Sequence, residues 1–240
     1  MTTSEFSLQF DILYNNIASN AAPGIDKYEK SVYLTKAQLE IIKEYNGLQN
    51  KYQKGFEGSD KRRTDLKELI KDYKSNSFIS NSQNINSNSK FCVLPQDVFL
   101  IKHEKGIFKK NGCEKELTIV PTTLDQFEEN IKNPFRKPYE EKAWRLDYNS
   151  SMVEIVSNVD IIEYQIRYLK YPEPIILTNL ATDPEFSGMN LTIDGITSEQ
   201  TCKLNKEIHP EILDRAVELA YSDYRESNLK NKVQLNNRNN

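Results

Sequence analysis

Apolar residues over the first seventy positions recur every three or four residues, the period of a helix with one buried face. Phe6, Phe10, Leu13, Tyr14 and Ile17 share one side, and Thr2 with Glu5 has the spacing of a capping box. A turn from Asn20 to Gly24, carrying Pro23-Gly24, ends this helix. Asp26/Glu29 and Thr35/Gln38 are two further start signals, so the next stretch reads as one helix or as two meeting near Leu34. Its stripe runs through Leu34, Ala37, Ile41, Tyr45, Leu48 and Tyr52 and stops near Gly55 and Gly58. Asp60 caps a third predicted helix that turns Leu66, Leu69, Ile70 and Tyr73 inward.

Ser and Asn then dominate from Ser75 to Lys90, which predicts a solvated linker because these side chains compete for backbone hydrogen bonds and offer little to bury. From Phe91 the period shortens to two. Val98–Phe108 and Glu116–Val120 flank Asn111-Gly112, the signature of a long hairpin. Thr123 to Lys132 reads as a short helix with Gln126 three residues after its cap, stopping before Asn133-Pro134. Ala143–Tyr148, Met152–Val156 and Ile161–Tyr171 read as strands. In the last, Ile162, Tyr164, Ile166 and Tyr168 alternate with Glu163, Gln165 and Arg167. Ile175–Thr178 adds a predicted edge strand after Pro172 and Pro174, and Ala181 to Gly195 is turn-rich. Pro210 opens a final helix with Ile212, Leu213, Ala216, Val217, Ala220 and Tyr224 along one side. The polar tail that follows predicts disorder in the isolated subunit.

The expected fold class is therefore α+β, with terminal helices packed as a bundle around a β-rich antiparallel middle. The expected divisions are a helical region at residues 1–74, the linker at 75–90, a β-rich region at 91–205, a C-terminal helix at 206–228 packing on the first helices, and a tail at 229–240.

Composition sharpens this. At 240 residues with 38% hydrophobic content, the private core is thin for the length, partly offset by thirteen tyrosines and ten phenylalanines. A net charge of -3 from 32 basic and 35 acidic residues gives no long-range pull toward nucleic acid or anionic lipid. Cys92, Cys113 and Cys202 are odd in number and far apart, as in a reduced cytosolic chain. The opening MTTSEFSLQFDILYNN lacks a basic start and an apolar run, so no signal peptide is expected, and no eighteen apolar residues run together to span a membrane.

Chemistry is sparse. There is no GxxxxGK[ST], no GxGxxG after a strand and no GxSxG. His103 sits in a charged run and His209 precedes a helix-opening proline. Both read as surface or capping residues rather than bases, because a base needs a positioned nucleophile. With two histidines and no CxxC, no metal or other cofactor is expected. The acidic loop with Asp183, Glu185, Asp194 and Glu199 lacks the calcium-loop spacing and reads as solvated. Lys61-Arg62-Arg63 opens a predicted helix, where cations oppose the dipole, and hints at an anionic partner; Arg136-Lys137 is a second basic site. Trp144 reads as a core or interface anchor.

Four stretches carry a resemblance: FDILYNNIASN from Phe10 to Asn20 with Ala22-Pro23-Gly24, YEKSVYLTKAQLEIIKEY from Tyr28 to Tyr45, YQIRYLKYPEPIIL from Tyr164 to Leu177, and HPEILDRAVELAYSDY from His209 to Tyr224. Together they resemble the portal-proximal ring proteins, the head–tail connectors or adaptors, of tailed bacteriophages, and most of all those of crAss-like phages. The resemblance implies a virion protein made in the host cytoplasm and free of catalytic residues. It also implies a ring of about twelve copies, contacting the portal and adjacent tail ring proteins, with genomic DNA passing unbound through the lumen. It implies a C-terminal segment that docks on a partner, for which Leu229, Val233 and Leu235 are the apolar candidates in the tail. Two other readings stay open: a nucleic-acid-binding accessory protein using Lys61–Arg63 and Arg136–Lys137, and a small virion-associated hydrolase using the loop Asp183–Glu199.

Overall fold

Helix α1 (Thr3–Ala18) begins as its capping box dictates. Thr2 N–H donates to Glu5 Oε2 at 2.8 Å, and Glu5 N–H donates to Thr2 Oγ1 at 3.2 Å. Asp26 and Glu29 make the same reciprocal pair at the start of α2 (Lys27–Asn46). The second start signal is silent: α2 is one continuous helix, and Thr35 is used elsewhere. The computed structural model describes residues 1–18, 24–46, 60–79, 89–149 and 151–238, the final helix beyond residue 225 as backbone only. The predicted turn before Gly24, the end of the α2 stripe at Leu48, Tyr52, Gly55 and Gly58, and the linker positions 80–88 lie outside the described residues.

The chain divides into two compact units, Met1–Glu68 with Pro172–Asn240 and Leu69–Tyr171. In the first, α2 lies against α5 (His209–Arg238), and α1 packs on both. The registers are readable from side chains. Tyr45 Oη donates to Glu211 at 3.0 Å, Arg215 Nε to Glu40 at 2.8 Å and Tyr33 Oη to Asp223 at 3.1 Å, so α2 and α5 run antiparallel. The Phe6 ring lies 5.3 Å from that of His209, and Tyr14 lies near Tyr224, so α1 runs parallel to α5. Phe6, Phe10, Tyr14, Leu34, Ala37, Ile42, Ile212, Leu213, Ala216 and Ala220 are buried in this unit.

Helix α3 (Asp60–Asp65) is short. The predicted inward stripe is cut after Leu69, and Ile70–Ser75 is strand β1, because its backbone pairs with a distant strand in preference to propagating a helix. The predicted edge strand at Ile175–Thr178 is also absent. Among the described residues its ladder contact is an isolated bridge between Ile176 and Gln200, and the Ile175 N–H and C=O and the Leu177 N–H bond to α2 side chains.

The second unit is a seven-stranded sheet in the order β1-β7-β3-β4-β5-β6-β2, with β2 (Ser89–Val93), β3 (Val98–Lys110), β4 (Cys113–Pro121), β5 (Lys142–Asn149), β6 (Met152–Val156) and β7 (Ile161–Lys170). The β3–β4 hairpin turns at Asn111 and Gly112, both at positive φ (54° and 81°), as an Asn-Gly turn requires. Among the described residues every strand pairing is antiparallel but one: β4 and β5 are parallel, because the chain between them crosses over through α4 (Leu124–Ile131). Thr123 caps that helix by accepting from Gln126 N–H at 3.4 Å.

Register shifts along β3 bend it, and the sheet curls. Its two edge strands approach one another: Tyr73 Oη on β1 donates to Val93 O on β2 at 3.4 Å, and Ile79 forms a two-bond bridge with Phe91. Inside lie Cys92, Phe108, Leu117, Ile119, Val153, Ile155, Ile161, Tyr164, Ile166 and Tyr168. On the other face of β5 and β6, Trp144, Leu146 and Val156 pack beneath Phe127 of α4. Trp144 is thus a core anchor, its ring 5.8 Å edge-on from Phe127.

Candidate functional site

Helix α1 is apolar on two sides. Phe6, Phe10 and Tyr14 face the unit's interior, whereas Leu8 is 63% exposed and Ile12 51%. At about 100° per residue, Leu8 and Ile12 form a pair one turn apart, on the side of the helix opposite Phe6 and Phe10. The pair is flanked by Glu5 and Asp11, and α1 carries no Lys or Arg.

Helix α5 outlasts the helices it lies against. Asp223 is opposite Tyr33, and α2 begins six residues before Tyr33, so the antiparallel register brings the start of α2 level with Leu229. The Phe6–His209 contact places the end of α1, at Ala18, no farther along α5 than that. Helix α5 continues to Arg238, roughly 14 Å beyond that level. The tail expected to be disordered is therefore helical backbone. Leu229, Val233 and Leu235, the candidate docking residues, lie on this last stretch of α5, which is described as backbone only.

In the sheet unit, the turn after α4 presents Phe135 at 94% exposure. Its backbone is held by Asn133, whose side chain accepts from Phe135 N–H at 3.0 Å and whose carbonyl accepts from Arg136 and Lys137 N–H at 3.1 and 3.0 Å.

The basic runs differ in their engagement. Lys61 pairs with Glu211 at 2.5 Å, Arg63 pairs with Asp60, and Arg62 is buried with its guanidinium 5.3 Å over the Tyr45 ring. All three cations thus have partners within their own unit, which removes the hint of an external anion. Arg136 donates to Asn130 at 3.2 Å, in the other unit.

The acidic loop is also spent locally. Asp183 accepts from Thr178 Oγ1 at 2.7 Å and from Glu185 N–H at 3.1 Å; these bonds, Thr178's first, hold its carboxyl below the ordinary range. Asp194 and Gly195 form a tight turn at positive φ between Ile193 and Ile196, and Glu199 accepts from Thr3. Among the described residues, no three His, Cys, Asp or Glu gather closely enough to hold a metal ion. No helix among them is long and apolar enough to cross a membrane.

His103 is exposed on β3. His209, expected at a helix-opening turn, is there but buried. Its Nδ1 accepts from the Met1 ammonium at 2.7 Å and its Nε2–H donates to Leu204 O at 3.1 Å, which defines the neutral tautomer. Burial, the leading cause, lowers its pKa. A second buried set escaped the sequence reading. Glu104 accepts from Arg145 Nη1 at 2.6 Å and from Tyr164 Oη at 2.7 Å inside the curled sheet. Both groups are buried and hydrogen-bonded, and both serve as internal fastenings. The sequence signal of the Glu104 set was a polar residue at an inward strand position.

What this geometry offers is surface: a helix apolar on two sides, a helix end that outlasts its neighbours and an aromatic held outward on a turn. Residues 1–232 match the phage tail ring protein 3/4 family, and the chain belongs to that family, among the ring proteins of crAss-like phages. It is 41% identical to "Ring protein 4/5" of Bacteroides phage crAss001 over 99% of both chains. It is 35% identical to "Ring protein 3" of the same phage, over 92% of this chain and 95% of that one.

Proposed function

We propose that the chain is a structural subunit of a homo-oligomeric ring in the phage tail, set beneath the portal, joining head to tail and lining the channel through which the genome leaves. The observation that carries this reading is the outward Leu8–Ile12 pair on α1, apolar surface that a solitary subunit leaves in water and a neighbour would cover. Its relatives' printed names, ring proteins of one phage, point the same way. A cyclic arrangement of about twelve copies suits a portal-matched ring, and closed symmetry lets each copy offer two different surfaces to its neighbours. The end of α5, with Leu229, Val233 and Leu235, is the docking element toward the assembly. The channel wall needs no base-specific contact, which accords with a net charge of -3.

Negative-stain images of the purified protein, alone and mixed with its portal, test this. Rings, or portal particles capped by an added ring, are expected. Monomers that persist at high concentration and ignore the portal overturn it.

A further inference from the structure

We infer that Phe135 of one copy seats against the Leu8–Ile12 pair on α1 of the next copy, and that this head-to-tail contact joins neighbours in the ring. The inference rests on the ring reading above and names the occupant of the outward face of α1.

Three observations converge. The first is a fixed knob. Phe135 is 94% exposed, yet its turn is ordered: the Asn133 side chain accepts from Phe135 N–H at 3.0 Å, and the Asn133 carbonyl accepts from Arg136 and Lys137 N–H. A large apolar side chain held outward on an ordered backbone loses little freedom on docking, which is the character of an interface anchor. The second is a receiver of matching form. Leu8 and Ile12 are one turn apart on the outer face of α1, with Gln9 and Asn15 exposed around them. Residues four apart on a helix stand about 5–6 Å from one another, so the pair makes an apolar step on which one aromatic ring can lie.

The third is charge. Lys132, Arg136 and Lys137 are exposed around Phe135, residues 132–137 include no acid, and Arg136 donates to Asn130, a neutral amide. Helix α1 carries no Lys or Arg. Its Asp11 is already paired with Lys30 at 2.7 Å, but Glu5, beside the apolar pair, accepts from the Thr2 N–H, which has no charge to offset its own. A basic turn thus meets a helix with no cation to repel it and one acid to attract it.

Cations just past the end of α4 also suit that helix's dipole. That accounts for their sign but not for an aromatic side chain held in water. Phe135 and the α1 pair are different patches, one on each compact unit, so the contact is heterologous and passes from copy to copy instead of ending at a dimer.

Cysteine crosslinking in a Cys113→Ser background, which removes the one exposed native thiol, tests the contact. Lys137→Cys is combined with Gln9→Cys in one variant and with Asn15→Cys in another. These sites flank the contact and leave Phe135, Leu8 and Ile12 in place, and either direction of approach brings one pairing close. A short bismaleimide should give a ladder of dimers, trimers and higher species on a denaturing gel from at least one variant, and nothing from Lys137→Cys alone. Rings seen by negative stain with no crosslinking from either variant overturn the contact and leave the ring reading intact, as do products that stop at dimers. Absence of rings in every preparation, the unaltered protein included, removes both.

A second set of variants guards against a trivial loss. Phe135→Ala should raise the concentration for half-assembly by about tenfold or more and leave the monomer's thermal midpoint unchanged. Unaltered assembly overturns the inference, and so do rings that persist and lose only portal binding. A lowered midpoint does the same, because it would mean that Phe135 packs on its own chain. Leu8→Ala with Ile12→Ala should match the effect of Phe135→Ala, and all three together should weaken assembly little further; fully additive losses count against a shared contact.

Discussion

Thr35 Oγ1 on α2 grips both backbone groups of Ile175, accepting from its N–H at 3.1 Å and donating to its carbonyl at 3.3 Å. One turn earlier, Ser31 Oγ accepts from Leu177 N–H at 3.0 Å, and one turn later Gln38 Nε2 donates to Glu173 O at 3.2 Å. Three side chains on one face of a helix thus do for residues 173–177 what a neighbouring strand would do. The segment is extended and buried, and its amide groups need partners that the sheet does not supply.

Thr35→Val keeps the shape and removes the hydroxyl, leaving the Ile175 N–H and C=O buried without it. Urea unfolding should show a loss of about 1–3 kcal/mol. Thr35→Ser, which keeps the oxygen, should lose much less. Equal losses would show that packing alone holds the segment.

Folding lowers the His209 pKa below its ordinary 6.5, mainly by burial, with the Met1 ammonium alongside opposing a second positive charge. The unfolded chain therefore binds the proton more readily than the folded one. The stability this group contributes is present above pH 6.5 and is lost as pH falls from 6.5 toward the folded value. Unfolding free energies between pH 5 and 7.5 should decline on acidification, and a His209→Gln variant should have a flatter profile. An unchanged slope would refute the assignment.

Arg145→Met strands the buried Glu104 carboxylate and should cost about 3–5 kcal/mol in urea unfolding. Glu104→Leu combined with Arg145→Met should recover much of that, because the penalty comes from an unpaired charge and not from lost attraction. Additive losses from the two changes would contradict this account.

All three cysteines are free thiols, but only Cys113, beside the Asn111-Gly112 turn, is exposed. Burial pushes the Cys202 thiol up to about 11 and raises that of Cys92. A thiol reagent at pH 8 should modify one cysteine per folded chain and three in urea, counted by intact mass.

A crowding test bears on the curl of the sheet. A Cβ on Gly106 would stand 3.2 Å from Leu117 Cδ1 and 3.4 Å from Ile161 Cδ1. Gly106→Val, with two more methyl groups to place, should destabilise the sheet unit by about 1–3 kcal/mol, read as a lowered urea midpoint; a neutral result would mean the interior has slack there.

Local signals were legible wherever short-range geometry decides. The two capping boxes, the Asn111-Gly112 hairpin, the Thr123 cap and the alternation of Ile161–Lys170 all involve residues a few positions apart, whose hydrogen bonds or side-chain faces follow from backbone period alone. Elements whose partners are distant were misread. Ile70–Ser75 satisfies a helical stripe on paper, yet its backbone pairs with Tyr164–Leu169, about a hundred positions on. Ile175–Thr178 has the composition of a strand, and only the Ser31–Thr35–Gln38 face of α2 explains why it is extended without a sheet. The last turns of α5 looked disordered for want of an apolar stripe, but Leu, Lys, Gln and Arg are good helix formers, and a helix already nucleated at His209 extends at little cost.

The amino-acid order by itself determined the start signals, the strand periods and the family likeness, because each is written in neighbours or in the whole pattern of residues. The tertiary structure alone decided the register of α5 against α1 and α2, and hence which of its turns project past them. It also decided which face of α1 is left in water. Register and exposure depend on contacts between residues some two hundred positions apart, such as Phe6 with His209 and Tyr33 with Asp223, and no local period encodes those.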